Sequence, residues 1–280
     1  MNKKWKSILF SLLVRIILIF SSALVILPLL WNIITSFKSN TEIMENPWTL
    51  PKVLHFENYV NAVVKANMGA YAGNSILITL FSLLILVFIS VCSSYALARF
   101  HFKLRKPIKN FFMSGIFIQP VYIMIPLFLL MTKLQMNDNR GWISVVYAVT
   151  MLPFSIFLLY GFFKSIPTDY EDAAMIDGCG YMRTMFSIVT PLARPGIITV
   201  MIFGFFAFWN EYPLALVLLN TDSKKTLPIG LQNLMEVQKY ATDWGALFAG
   251  LVILLVPTLV IYSLCQKQLT QGMQVGGIKG

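Results

Sequence analysis

Histidine and cysteine are almost missing from this sequence, and acid is scarce: two histidines, three cysteines and 12 Asp+Glu in 280 residues. His55 and His101 lie far apart, as do Cys92, Cys179 and Cys265. None has metal-ligand or CxxC spacing, so no metal site is predicted and the cysteines read as small apolar filler. No GxxxxGK[ST] phosphate loop occurs, so the chain has no ordinary means of holding nucleotide. A membrane enzyme would need clustered His, Cys or paired carboxylates at depth, and none is present.

What is abundant is apolar. Hydrophobic residues make up 57% of the chain and charged residues 12%, and the mean hydropathy is +0.72. Soluble domains carry about 25% charged residues, so the composition predicts an all-α polytopic membrane protein. The net charge is +10. A basic balance would suit nucleic acid, but here Lys and Arg sit at the ends of apolar runs, which points to membrane lipid and topology instead.

A helix needs roughly 20 apolar residues to cross the hydrocarbon core. Six segments qualify: 16–34, 76–97, 111–131, 142–163, 196–219 and 244–265. None alternates as a β-barrel strand would. The first begins after MNKKWKSILF and is too long for a signal's apolar region, so it reads as an uncleaved helix. With the N-terminus inside, thirteen Lys and Arg fall on inner segments and eight on outer ones. The loop RFHFKLRKPIKN carries five basic residues and no acid. Both termini are therefore expected in the cytoplasm.

Two outer segments, 38–71 and 220–243, are long enough to be ordered surface loops or docking surfaces for an outer partner. The second contains TLPIGLQNLMEVQKY, apolar near helical spacing. Pro28, Pro120, Pro126, Pro153, Pro213 and Pro257 fall inside the expected spans, where each removes a backbone donor and tends to kink a helix.

One inner segment is unlike the rest. In FKSIPTDYEDAAMIDGCG, Pro167 stops the preceding helix. Thr168, three residues before Glu171, fits a capping box. Asp169, Glu171 and Asp172 sit where the helix dipole favours anions, Ala173 and Ala174 favour helix, and Gly178 suits a left-handed stop. A short helix is predicted over 169–177, roughly 14 Å long. A second helical piece over 181–189 carries Met182, Met185, Phe186 and Val189 on one face, predicted to lie back on the membrane helices while the first piece points outward. Pro191 and Pro195 then steer the chain into the fifth span. The segment reads either as a well-capped loop or as a docking helix.

This segment resembles the EAA loop of the membrane subunits of ATP-binding-cassette importers, whose pattern is E-A-A, three residues, G, nine residues, I-x-L-P. Here it stands as Asp172-Ala173-Ala174, Gly178 and Ile188-Val189-Thr190-Pro191. The spacing holds, with Asp172 at the Glu position and Thr190 at the Leu position. IDG at 176–178, NSILIT at 74–79, SSYALARFHF at 93–102, FWNEYPLALVLL at 208–219, TLPIGL at 226–231 and the tail GMQVGGIKG resemble the carbohydrate branch, closest to the second permease of maltose-type systems.

The resemblance implies an importer-type permease fold, with an N-terminal helix and outer loop over 1–70 and a five-helix core over 71–280 carrying the coupling loop at 164–195. It implies a coupling helix in which Glu171, Asp172, Ala173, Ala174, Asp177 and Gly178 meet the ATPase, through Asp172 or Glu171, and a tail in reach of the same ATPase. It further implies a cytoplasmic ATPase dimer that hydrolyses the ATP, a second permease subunit, and an extracellular or periplasmic sugar-binding protein. No cofactor is expected on this chain itself.

Glu211 is the one acid well inside an expected span, about 22 Å along the helix from Gly196. With Trp209 and Asn210 it could line a sugar path by stacking and hydrogen bonding. It could equally be a polar clasp between helices. The competing class, an ion-coupled secondary transporter, would show inverted repeats and several buried ionisable groups, and no clear repeat is visible.

Overall fold

The computed structural model describes residues 3–237 and 243–276. Among the described residues there are helices and turns and no strand. In chain order the main helices are α1 (Lys3–Thr35), α2 (Asn40–Glu45), α3 (Met68–Arg99), α4 (Arg105–Gly115), α5 (Met124–Lys133), α6 (Arg140–Ser165), α7 (Asp169–Ile176), α8 (Arg194–Trp209), α9 (Pro213–Leu218), α10 (Leu227–Val237) and α11 (Trp244–Gly276). Lys239, the end of TLPIGLQNLMEVQKY and tail residues 277–280 lie outside the described residues.

Four helical stretches are long and apolar enough to cross a membrane: Phe10–Thr35, Met68–Arg99, Arg140–Ser165 and Trp244–Gln268. Two bent pairs bring the number to six if each counts as one span. The third expected span is one of these and is not a straight rod. α4 and the stretch Pro120–Lys133 meet at 98°. Helix stops at Gly115, and Pro120 opens a 3₁₀ turn, Pro120–Ile123, before α5. Proline fixes φ and lacks the N–H that a continuing helix requires.

The fifth expected span is also broken. α8 ends at Trp209, the polar run Asn210-Glu211-Tyr212 interrupts it, and Pro213 occupies the first position of α9. Pro120 and Pro213 thus begin elements where kinks within spans were expected, whereas Pro28, Pro153 and Pro257 lie inside helices.

The chain divides into two compact units, one of residues 1–69 and 231–255, the other of 70–230 and 256–280. In the first, the segment after α1 folds around Lys38. This lysine is fully buried and its Nζ donates to the carbonyls of Asn46 and Pro47 at 3.2 and 3.0 Å. Trp31 donates through Nε1 to the same Pro47 carbonyl. α2 carries a capping box in which Ser39 and Glu42 exchange bonds.

The second unit contains the larger apolar core, to which α3, α6 and α8 contribute Leu86, Ile156, Leu159 and Val200. Two glycines let α8 come close. A Cβ on Gly196 would lie 2.6 Å from the Phe162 ring, and one on Gly204 would lie 2.8 Å from Leu83. Small residues at such crossings let membrane helices pack by van der Waals contact. At one end of this unit Asp138 (φ 54°) accepts from the amides of Asn220 and Thr221 and from Lys224 Nζ at 2.7 Å. Burial pushes the Asp138 carboxyl up, but Lys224, Thr221 and the two amides together pull it well below the usual carboxylate range.

Candidate coupling site

α7 is a short rod with well-defined ends. Its C-terminus closes as a Schellman motif: Cys179 N donates to Ala174 O at 2.9 Å and Gly178 N to Met175 O at 3.1 Å. Gly178 sits at φ +76°, as expected from its sequence position. The rod covers Asp169–Ile176, with Asp177 as its C-cap, close to the predicted 169–177.

Its N-terminus departs from expectation. Thr168 makes no side-chain cap bond, because its backbone is already helical (φ −70°, ψ −18°). A capping hydroxyl needs the extended conformation, which Ser39 has (φ −72°, ψ 158°). The capping box therefore forms at Ser39 and not at Thr168. The capping-box signal stands in the sequence at both places, as S-x-x-E at Ser39 and T-x-x-E at Thr168, and backbone geometry separates them.

Freed from capping, Glu171 turns inward. Its Oε1 accepts from Arg99 Nε at 2.8 Å, and the two side chains are 8% and 12% exposed for Arg99 and Glu171. Arg99 Nη2 also donates to Ile166 O at 2.9 Å. Arg99 is the last residue of α3, so one guanidinium ties the end of a long membrane helix to both the approach and the first turn of α7. Arg105 backs it, donating to Leu97 O at 2.8 Å and Ala98 O at 3.3 Å, which satisfies carbonyls that a helix end leaves open. A chain of edge-on aromatic contacts, Phe163–Tyr95–Phe100–Tyr181, runs alongside.

The other loop residues divide by face. Ala174 is buried, while Asp172, Ala173, Asp177 and Gly178 are exposed. Ile176 is 87% exposed. A groove of about 540 Å³, lined in part by Tyr170, Ala173, Asp177 and Ile188, opens beside the helix. The structure thus leaves Asp172, Ala173 and Asp177 exposed, Ala173 and Asp177 at the groove, and withdraws Glu171 from solvent.

The second piece is helical, but Thr184–Val189 is a π turn. Bonds from i to i+5 widen the turn, and the buried set becomes Thr184, Met185 and Val189, with Met182 and Phe186 exposed. The predicted four-residue apolar face is corrected to this narrower one. Beyond it the chain bends by 77° into α8, with Pro191 and Pro195 in the first turns of their helices.

Trp209, Asn210 and Glu211 do not form one polar cluster. Trp209 is buried and stacked on Phe205 at 5.7 Å. Asn210 is exposed and donates to Phe206 O at 2.9 Å. Glu211 accepts from the amides of Leu214 and Ala215 at 2.7 and 2.9 Å and from Tyr147 Oη at 2.6 Å. It collects donors that the helix break exposes and fastens α9 to α6. Among the described residues no group of three His, Cys, Asp or Glu is placed to hold a metal ion.

Comparison with known proteins identifies the family. Residues 89–275 match the family described as "Binding-protein-dependent transport system inner membrane component". The chain is 37% identical over 268 residues to the diacetylchitobiose uptake system permease protein NgcG of Streptomyces coelicolor, covering 95% of this chain and 88% of that protein. Its fold matches a chain in the crystal structure of a bacterial ABC transporter involved in the import of the acidic polysaccharide alginate, with TM-score 0.84, 22% identity, and coverage of 95% and 98%. A second alginate transporter structure, solved in complex with an alginate pentasaccharide-bound periplasmic protein, matches with TM-score 0.66, 14% identity, and coverage of 95% and 96%. The protein belongs to the binding-protein-dependent transport family as an inner membrane, multi-pass permease component.

Proposed function

We propose that this permease forms half of the translocation path of an ATP-driven importer of oligosaccharides or related sugars, and that α7 is its coupling helix. The relative that imports diacetylchitobiose and the structural neighbours that import alginate support a carbohydrate cargo. By the same reading its partners are a second permease, a cytoplasmic ATPase dimer that hydrolyses the ATP, and a periplasmic or extracellular sugar-binding protein.

The observation that carries the reading is the two-sidedness of α7. Glu171 and Ala174 are withdrawn from solvent, while Asp172, Ala173 and Asp177 are exposed, the last two beside a groove. Asp172 and Asp177 are the acids that meet basic side chains of the ATPase, and Ala173 lets them approach closely. Glu171 is the anchor. Such a rod transmits displacement instead of absorbing it. When the ATPase closes, α7 moves, Arg99 carries the motion into α3, and Met185 and Val189 carry it into the core as rigid-body rotation. Asn210, the exposed member of the polar run, is the residue left to face cargo, and Glu211 serves as the clasp.

The test separates the two acids. Asp172→Lys abolishes uptake and ATPase co-purification while the melting temperature stays unchanged. Glu171→Lys lowers the melting temperature as well. Normal uptake by Asp172→Lys overturns the docking role.

A further inference from the structure

Two of the five cations in the loop, Arg99 and Arg105, serve the junction of α3 with α7, and three lysines remain. Positive charge on an inner loop sets topology wherever it lies, yet here it converges. Lys103, Lys106 and Lys109 line a groove of about 420 Å³ with His101, Phe102 and Tyr160. Lys106 and Lys109 are three apart on α4 and so share a face. Lys109 Nζ lies 4.8 Å over the Tyr160 ring. Among the described residues no carboxylate is within ion-pair distance of these three lysines. Arg105 lines the wall but is turned to the α3 carbonyls. Like charges lining one groove repel, and an anion between them relieves the repulsion.

The surroundings say which anion. α4 packs along α6, and Tyr160 lies little more than a turn before α6 ends at Ser165. By length and composition α6 is a membrane span, and its end is expected at headgroup level. About 10 Å farther along the same helix pair, at Pro153, a second groove of about 360 Å³ is lined by Phe111, Gly115, Ile118 and Val149. It is overwhelmingly apolar. A cationic groove at the membrane surface with an apolar one deeper on the same seam fits one kind of molecule. We propose that this seam binds an anionic phospholipid of the phosphatidylglycerol class, its phosphodiester held by Lys103, Lys106 and Lys109 and an acyl chain lying in the α4–α6 groove. The proposal uses the cytoplasmic orientation of this loop but not the coupling role of α7, so its test reads binding and not transport.

The experiment is native mass spectrometry of the purified permease complex with phosphatidylglycerol, phosphatidylcholine or inorganic phosphate. Wild type retains phosphatidylglycerol over phosphatidylcholine, and the triple Lys103→Gln, Lys106→Gln, Lys109→Gln variant binds it on the order of a hundredfold more weakly. The triple Lys→Arg variant retains it, and Val149→Trp, which fills the apolar groove, weakens retention with all three lysines in place. Equal retention by the triple Gln variant, equal retention of phosphatidylcholine, or displacement of the lipid by equimolar inorganic phosphate overturns the proposal. So does a triple variant that loses the ATPase while keeping the lipid, since the groove is then a protein dock. Should the triple variant not insert, a photoreactive phosphatidylglycerol on wild type decides. Labelling of residues 101–109 and Tyr160 supports the site, and labelling elsewhere overturns it.

Discussion

Arg99 and Glu171, 72 residues apart in sequence, meet at 2.8 Å with almost no access to water. A buried pair of this kind is weak evidence for net stability, but removing one partner leaves an uncompensated charge. Glu171→Gln is therefore expected to lower stability by about 3–5 kcal/mol, read as melting of the purified complex. The swapped pair Arg99→Glu with Glu171→Arg recovers part of it. Equal melting of the single variant and wild type would show that the pair holds nothing.

Gly178 makes a separable prediction. A Cβ there meets nothing within 4 Å, so the constraint is the backbone at φ +76° and not crowding. Gly178→Ala costs about 1–2 kcal/mol and Gly178→Asn less, because asparagine tolerates this conformation. Gly178→Pro cannot adopt it and loses the bond to Met175 O. Sugar uptake per ATP hydrolysed falls in the order Asn, Ala, Pro, with the proline variant inserted but inactive. Full coupling in the proline variant would rule out a rigid end.

The Glu211 clasp can be told from a cargo contact by which parameter moves. Tyr147→Phe removes one bond and costs about 1–3 kcal/mol. Glu211→Ala also orphans the amides of Leu214 and Ala215 and costs more. A clasp lowers melting and leaves the sugar KM of the surviving protein alone. A rise in KM at wild-type melting would place Glu211 in the path instead.

Acid should loosen the Asp138 latch only late. Its carboxyl is held below the ordinary range, so the folded state favours the charged form. Its contribution is complete above the ordinary aspartate value of about 4 and is lost as pH falls below that. Melting recorded from neutral pH down to about pH 3 is expected to drop in wild type at the acid end. Asp138→Asn starts lower and is flatter there, and parallel curves would contradict the latch.

Local signals were legible in the sequence, and encounters between distant residues were not. Gly178 announced its own conformation because glycine after an acidic, alanine-bearing turn has a local physical meaning. The apolar runs announced spans because lipid imposes length. By contrast, Thr168 and Ser39 carry the same capping signal and differ in a ψ angle that the neighbouring structure sets. The Arg99–Glu171 pair exists only once α3 and α7 are packed. Broken spans hid behind hydropathy, which averages over a window and registers neither Pro120 nor the polar run at Asn210-Glu211-Tyr212 as a turn in direction.

The π turn at Thr184–Val189 turns chain length itself into a functional quantity. A π turn takes up one residue more than an α turn, so removing one amino acid there lets ordinary winding resume with the helix beyond it close to its present direction, whereas removing one from a regular α turn such as that of α7 rotates everything downstream by about 100°. Pro191 would keep launching the following helix in the first case and would be turned away in the second, with every side chain chemically intact. The wide turn is in this sense one residue of slack, and the rod before it has none.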